Sequence, residues 1–110
     1  MHLQFCNKVV IDRVHMFNPN TPSYEAPNGD GVDISSSQNV IIRNSVLDMS
    51  DDQICVRAGQ GHAGAIQSVG KAVGKGRCGS HSILIEDSEV RNGHGLSIGS
   101  DGIGGVRNVR

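Results

Sequence analysis

Tryptophan is absent from the sequence and only 3% of the residues are aromatic, which argues against a core built on large rings. Neither sign of charge predominates. Ten Lys and Arg stand against eleven Asp and Glu, a formal net charge of −1, and this gives no electrostatic basis for binding nucleic acid or an anionic membrane. No apolar run approaches the roughly 18 residues needed to cross a bilayer. The opening Met1-His2-Leu3-Gln4-Phe5-Cys6 has neither the basic nor the apolar region of a secretion signal. The three cysteines, Cys6, Cys55 and Cys78, are an odd number without Cys-x-x-Cys spacing, so neither a disulfide framework nor a zinc knuckle is expected. Long helices are not expected either, because no stretch sustains a 3.6-residue apolar period.

What the sequence does contain is a short apolar pattern that keeps returning. Val9-Val10-Ile11, Val40-Ile41-Ile42 and Ile83-Leu84-Ile85 form one series, which Val106-Arg107-Asn108-Val109 extends. Between its members lies a second series, Val32-Asp33-Ile34, Ile54-Cys55-Val56 and Leu96-Ser97-Ile98, alternating apolar with small or polar residues as half-buried strands do. Val32 and Ile54 are 22 residues apart, while Ile54 and Leu96 are 42 apart. A coil of about 22 residues explains both spacings if the glycine-rich stretch from Ala58 to Ser80 is an insertion. Val9 to Val40 is 31 residues, and its surplus fits the turn-rich Asn18 to Pro27. The expectation is an all-β solenoid, a parallel β-helix of a few coils over residues 1–110 with a loop inserted at about 58–80. A β-sandwich would place strands every 8–12 residues or so without this shared register.

Aligning Val32, Ile54 and Leu96 also aligns the residues two places before each: Asp30, Asp52 and His94. Adjacent strands lie about 4.8 Å apart, so these three should stand on successive rungs, with Asp51 beside Asp52. If Val32 and Ile34 face inward, strict alternation would bury Asp30 too, and an unpaired buried carboxylate is costly. The strands must therefore be irregular here. Gly31 and Gly95 permit a twist or bulge that turns Asp30 and His94 outward, whereas Gln53 must achieve the same without glycine's freedom. Asp-Gly and Asp-Asp pairs are common in solvated turns, and so is a His between glycines. Their coincidence on one ladder is what points to chemistry. Clustered carboxylates repel, so one can keep its proton while another stays ionised, and glycoside hydrolysis needs that division of roles.

The segments Asn28-Gly29-Asp30-Gly31-Val32-Asp33, Ser50-Asp51-Asp52-Gln53-Ile54 and Gly93-His94-Gly95-Leu96-Ser97-Ile98-Gly99-Ser100 resemble three of the four signature motifs of glycoside hydrolase family 28, the polygalacturonases and their relatives. The resemblance implies a right-handed parallel β-helix. It implies hydrolysis of α-1,4-galacturonosyl bonds in pectin with inversion of configuration, and no cofactor or metal. By motif position Asp51 resembles the general acid, Asp30 and Asp52 the pair that activates water, and His94 the group that maintains the acid's protonation. Asn28 and Gln53, within the same motifs, are expected to bind substrate.

The implied partner is a pectic polysaccharide or oligogalacturonide, and the implied location is extracellular or periplasmic. Gly29 stands where the family usually has Thr, and Gln53 where many members have Cys. The fourth motif, Arg-Ile-Lys, would fall beyond Arg110, so further coils of a parent protein are expected to complete the site, and activity is not expected of these coils alone. Lys71, Lys75 and Arg77 in the inserted loop could bind substrate carboxylates, or the loop could block one end of the groove and favour exo action. A rhamnogalacturonan or xylogalacturonan hydrolase, a pectate lyase and a non-catalytic carbohydrate-binding β-helix are the alternatives.

Overall fold

The computed structural model describes residues 1–18, 20–21, 24–59, 79–102 and 104–110. Short runs of β-branched residues bounded by polar turns form strands that are too short to be stable singly, and most of them find their partners one coil away. In chain order the strands are β1 (His2–Gln4), β2 (Asn7–Asp12), β3 (His15–Phe17), β4 (Asn20–Thr21), β5 (Tyr24–Glu25), β6 (Val32–Ser35) and β7 (Gln38–Arg43). They continue as β8 (Val46–Asp48), β9 (Asp52–Arg57), β10 (Ser80–Glu86), β11 (Glu89–Val90), β12 (Gly95–Ile98) and β13 (Val106–Val109). No helix occurs among the described residues.

Three parallel sheets take these strands in rotation. The first is ordered β1-β6-β9-β12, the second β13-β10-β7-β2 and the third β11-β8-β3. The chain thus visits three faces in turn and climbs one strand per circuit, which is a parallel β-helix. The observed registers are the spacings expected from sequence: Val32 opposite Ile54 and Ile54 opposite Leu96 in the first sheet, Val9 opposite Val40 and Val40 opposite Ile83 in the second. β13 pairs with β10 as the next member of its series. The surplus between β3 and β6 contains a small antiparallel hairpin of β4 and β5. The expected insertion opens after β9 and closes at β10, and residues 60–78 lie outside the described residues.

Stacking places like on like. Leu3, Ile34, Val56 and Ile98 form one column, and Val9, Val40, Ile83 and Val109 another. In the middle coils these side chains are sealed, with Ile34, Val40 and Ile42 at 0% exposure. Ile98, on the last strand of its sheet, is 65% exposed.

The corners repeat as faithfully as the strands. Lys8, Asn39, Ser82 and Asn108 occupy equivalent positions in the second sheet and all take the left-handed conformation, with φ between 51° and 62°. Asn tolerates that region better than most residues, which accounts for two of the four. Serines satisfy the turns between sheets. Ser37 Oγ accepts from Cys6 N at 3.0 Å, Ser80 Oγ accepts from Ser37 N at 3.2 Å, and at the next corner Ser45 Oγ and Ser88 Oγ do the same for Val14 N and Ser45 N. Each corner amide is thereby paired with the coil above it, as buried backbone groups require.

The columns make a prediction about stability. Ile42→Ala in the sealed middle coil should cost about 2–5 kcal/mol and Ile42→Val about 0.5–1.5 kcal/mol, read as shifts of the urea unfolding midpoint. Ile98→Ala, at the exposed end of its column, should cost far less than Ile42→Ala. Equal costs at the two positions would show that stacking between coils is not what holds the interior.

Candidate functional site

The side chains singled out from sequence gather at the entry to the first sheet, and the backbone explains how. A Cβ on Gly31 would meet the core side chains of Leu47 and Met49 at 3.1 and 3.2 Å, so this position faces inward. Val32 is also fully buried. Two successive inward positions break the alternation and turn Asp30 out, which is the irregularity expected from the cost of burying a carboxylate. One coil on, Gln53 and Ile54 repeat the break, at 0% and 1% exposure.

Two expectations require correction here. Gln53 does not face the groove. Its buried amide donates from Nε2 to Met49 O at 3.4 Å and accepts from Gly95 N at 2.5 Å through Oε1, so it supports the backbone and cannot reach a bound sugar. His94 is not opposite Asp52. The register shifts between Gly95 and Leu96, so Gly95 pairs with Asp52 while Leu96 pairs with Ile54, and Gln53 is the unpaired residue of the bulge. His94 lies beside Asp51 instead, its amide donating to Asp51 O at 3.0 Å and its Nδ1 3.0 Å from Asp51 Oδ1. Asp52 Oδ1 is 3.9 Å from the same ring nitrogen.

The structure therefore brings Asp51, Asp52 and His94 into one group. Asp51 Oδ1 also accepts from Asp52 N at 2.9 Å, and Ser97 Oγ donates to Asp52 Oδ2 at 2.5 Å. Asp30 stands in a neighbouring group. Its Oδ2 is 3.0 Å from Arg57 Nη2, and the same nitrogen is 3.2 Å from Asp33 Oδ1. Asp30 nevertheless holds its proton above the ordinary aspartate range, first because it is partly buried and then because the charges of Asp33 and Asp51 oppose ionisation, while Arg57 acts in the other direction. Asn28 is exposed at a φ of 52°. Lys71, Lys75 and Arg77 lie outside the described residues.

Arg57, Asp33 and Ser97 were not singled out from the sequence. The signal was available in the register. Asp33, Cys55 and Ser97 are equivalent positions of three strands, outward of the inward column, and Arg57 is two residues beyond Cys55 on the same face.

Ligand atoms of Asp30, Asp33 and Cys55 lie within 4.8 Å of one another, and so do those of Asp51, Asp52 and His94. In the first group the Arg57 guanidinium already supplies the positive charge that a cation would bring. The second group combines carboxylates with an imidazole that is 67% exposed, an arrangement suited to holding and exchanging protons with water.

A brace from the preceding coil sets the two acidic turns. Asn18 Nδ2 donates to Gly29 O and to Ser50 Oγ, both at 3.1 Å, its Oδ1 accepts from Ser50 N at 2.7 Å, and Ser50 Oγ donates to Ala26 O at 2.7 Å. Gly29 and Ser50 each immediately precede a site aspartate. A Cβ on Gly29 would collide with Asn18 Nδ2 and Ser50 Oγ, so glycine at this position and the Asn18 brace go together. Gly29→Thr should cost about 1–3 kcal/mol by overpacking. Combined with Asn18→Ala, the loss should fall short of the sum of the single changes by at least about 0.5 kcal/mol in a double-mutant cycle. Strict additivity would show that Asn18 does not dictate the glycine.

Comparison with known proteins is consistent along the whole chain. Residues 1–110 match glycosyl hydrolases family 28. An endo-polygalacturonase of Pectobacterium carotovorum is 37% identical over 89 residues, covering 81% of this chain and 18% of its own length. A probable polygalacturonase of Arabidopsis thaliana is 29% identical over 102 residues, 93% of this chain and 17% of its own. An exo-poly-α-D-galacturonosidase of Dickeya chrysanthemi is 33% identical over 76 residues, 69% of this chain and 11% of its own. The chain thus spans less than a fifth of the length of these relatives. No solved structure matches it.

Proposed function

The chain belongs to glycosyl hydrolases family 28, and from that premise we propose that the protein hydrolyses α-1,4-galacturonosyl bonds of pectin by an inverting acid/base mechanism at Asp30, Asp51, Asp52 and His94. One observation carries the reading: residues from three successive coils converge at the same end of one sheet, with His94 Nδ1 3.0 Å from Asp51 Oδ1. Inverting hydrolysis needs a protonated carboxyl against the leaving oxygen and a carboxylate that takes a proton from the attacking water.

In this reading Asp51 is the acid. A proton lies between its Oδ1 and His94 Nδ1, and the exposed imidazole returns a proton from solvent after each turnover. Asp52 and Asp30 form the pair that activates water. The Ser97 hydroxyl occupies Asp52 Oδ2, which leaves the other oxygen as the acceptor of the water proton. Per turnover one proton passes from Asp51 to the leaving sugar and one from water to the base pair, and exchange with solvent resets both. The relatives include proteins named for endo and for exo action, and both modes need the same division of roles between an acid and a base. Pectin lies outside the cell, and the enzyme works there.

The test is Asp51→Asn in the full-length protein. Release of reducing ends from polygalacturonate should fall by at least about 10²-fold with the thermal unfolding temperature unchanged. Wild-type products should show none of the ultraviolet absorbance of unsaturated sugars. A variant as fast as wild type, or products that absorb, would refute the reading.

A further inference from the structure

Arg57 is placed by β9 two residues beyond Cys55 and opposite Ser35 on β6. Its side chain does not extend forward from that position. It runs back along the outer face of the sheet, with Nε 3.1 Å from Cys55 Sγ and Nη2 reaching Asp33 Oδ1 at 3.2 Å and Asp30 Oδ2 at 3.0 Å. The thiol that guides it is itself fixed, since Cys55 is 1% exposed and its Sγ donates to Gly99 O at 2.9 Å. The Arg57 side chain as a whole is 25% exposed. A partly buried arginine shared between two carboxylates is bound too closely to act as a free receptor for a substrate carboxylate.

We propose that Arg57 is a positioning residue for Asp30, its guanidinium holding that carboxylate in the orientation that accepts a proton from water and offsetting the negative charge of the neighbouring Asp33. This rests on the reading of Asp30 as part of the water-activating pair. The groups that face Asp30 are Asp33 on β6, which follows it, Asp51 on the turn before β9, and Arg57 on β9. Cys55 Sγ accepts from Arg57 Nε, while Asp52 and His94 belong to the adjoining group around Asp51. Of these, only Arg57 favours the Asp30 charge; Asp33 and Asp51 oppose it.

The sign of the effect follows. Asp30 must be ionised to act, and below its pKa the active fraction falls tenfold per pH unit. Losing the Arg57 cation raises that pKa and moves the acidic limb of the kcat profile to higher pH. Losing the Asp33 charge lowers it and moves the limb to lower pH. A merely structural role for either residue would reduce the rate without moving the limb.

The experiment measures kcat against pH for the full-length protein on polygalacturonate. Wild type and variants share the substrate, so titration of the substrate cancels in the comparison. Arg57→Gln should move the acidic limb up by about one unit or more, Arg57→Lys should keep it within about half a unit of wild type because the charge remains, and Asp33→Asn should move it down. If Arg57→Gln does not fold, the opposed Arg57→Lys and Asp33→Asn results still decide. A limb unmoved in Arg57→Gln and in Asp33→Asn overturns the proposal. Asp30→Asn separates the two readings. If it leaves hydrolysis intact, the assignment of Asp30 is wrong, whereas if it abolishes hydrolysis while the Arg57 and Asp33 variants keep the wild-type limb, only the positioning role is lost.

Discussion

Everything in this molecule depends on parallel backbone pairing between coils in strict register. Once a residue of one coil is opposite its equivalent in the next, every position along the turn becomes a column. A column that faces inward must then be apolar in every coil. Val9, Val40 and Ile83 obey this, as do Leu3, Ile34 and Val56. A slip of one residue would drive Asp33 inward and Val32 and Ile34 outward together. Loops are not so constrained, because they leave the coil and return to the same register whatever their length. Successive strands of the first sheet are therefore 22 residues apart in one interval and 42 in another, with Val32, Ile54 and Leu96 still opposite one another.

The site exists because the same register is broken at one end of one sheet. Two inward positions in succession, Gly31 with Val32 and Gln53 with Ile54, rotate the preceding aspartates toward solvent. The breaks carry costs of two kinds. A buried glutamine amide must find partners, which it does in Met49 and Gly95. Four aspartates on adjoining strands must also be held against mutual repulsion. Arg57 serves Asp30 and Asp33, while Asp51 relies on His94 and on the amide of Asp52. The two halves of the cluster are thus stabilised by different means, one by a permanent cation and the other by an imidazole and a backbone amide.

The coils were legible in the sequence because apolar triplets at shared spacing leave little alternative to stacking, and the same spacing puts Asp30 and Asp52 at the same end of two adjoining strands. The third sheet was much less legible, since strands such as Glu89–Val90 are too short to show any period. Equal spacing puts His94 one residue from its observed level because it assumes equal pairing, whereas the bulge at Gln53 adds a residue to one strand only. A bulge is a local backbone event, visible in Gly95 at a φ of 89° but not in the distance between two apolar residues. The burial of Gln53 escaped for the same reason. Arg57 is hidden for a different reason: strand alternation says which face a side chain leaves from, but a long side chain can lie back along its strand to reach its partners.

The two departures from the family pattern noted in the sequence have a common physical meaning. Gly29 removes side-chain volume directly before Asp30, and the amide of Asn18, from the coil below, fills that space and ties the turn to Ser50. Gln53 adds volume directly after Asp52, and its amide spans from Met49 to Gly95 on the coil above. Its Nε2 occupies space that a Cβ on Gly93 would need, at 2.5 Å, so the backbone before His94 is shaped by the same side chain. In each case the residue adjoining a site aspartate is set against, or itself supplies, a side-chain amide that bonds to the backbone of a different coil. The positions of Asp30, Asp52 and His94 are consequently set between coils rather than within one strand, and substitutions at Asn18 or Gln53 act on the cluster without touching it.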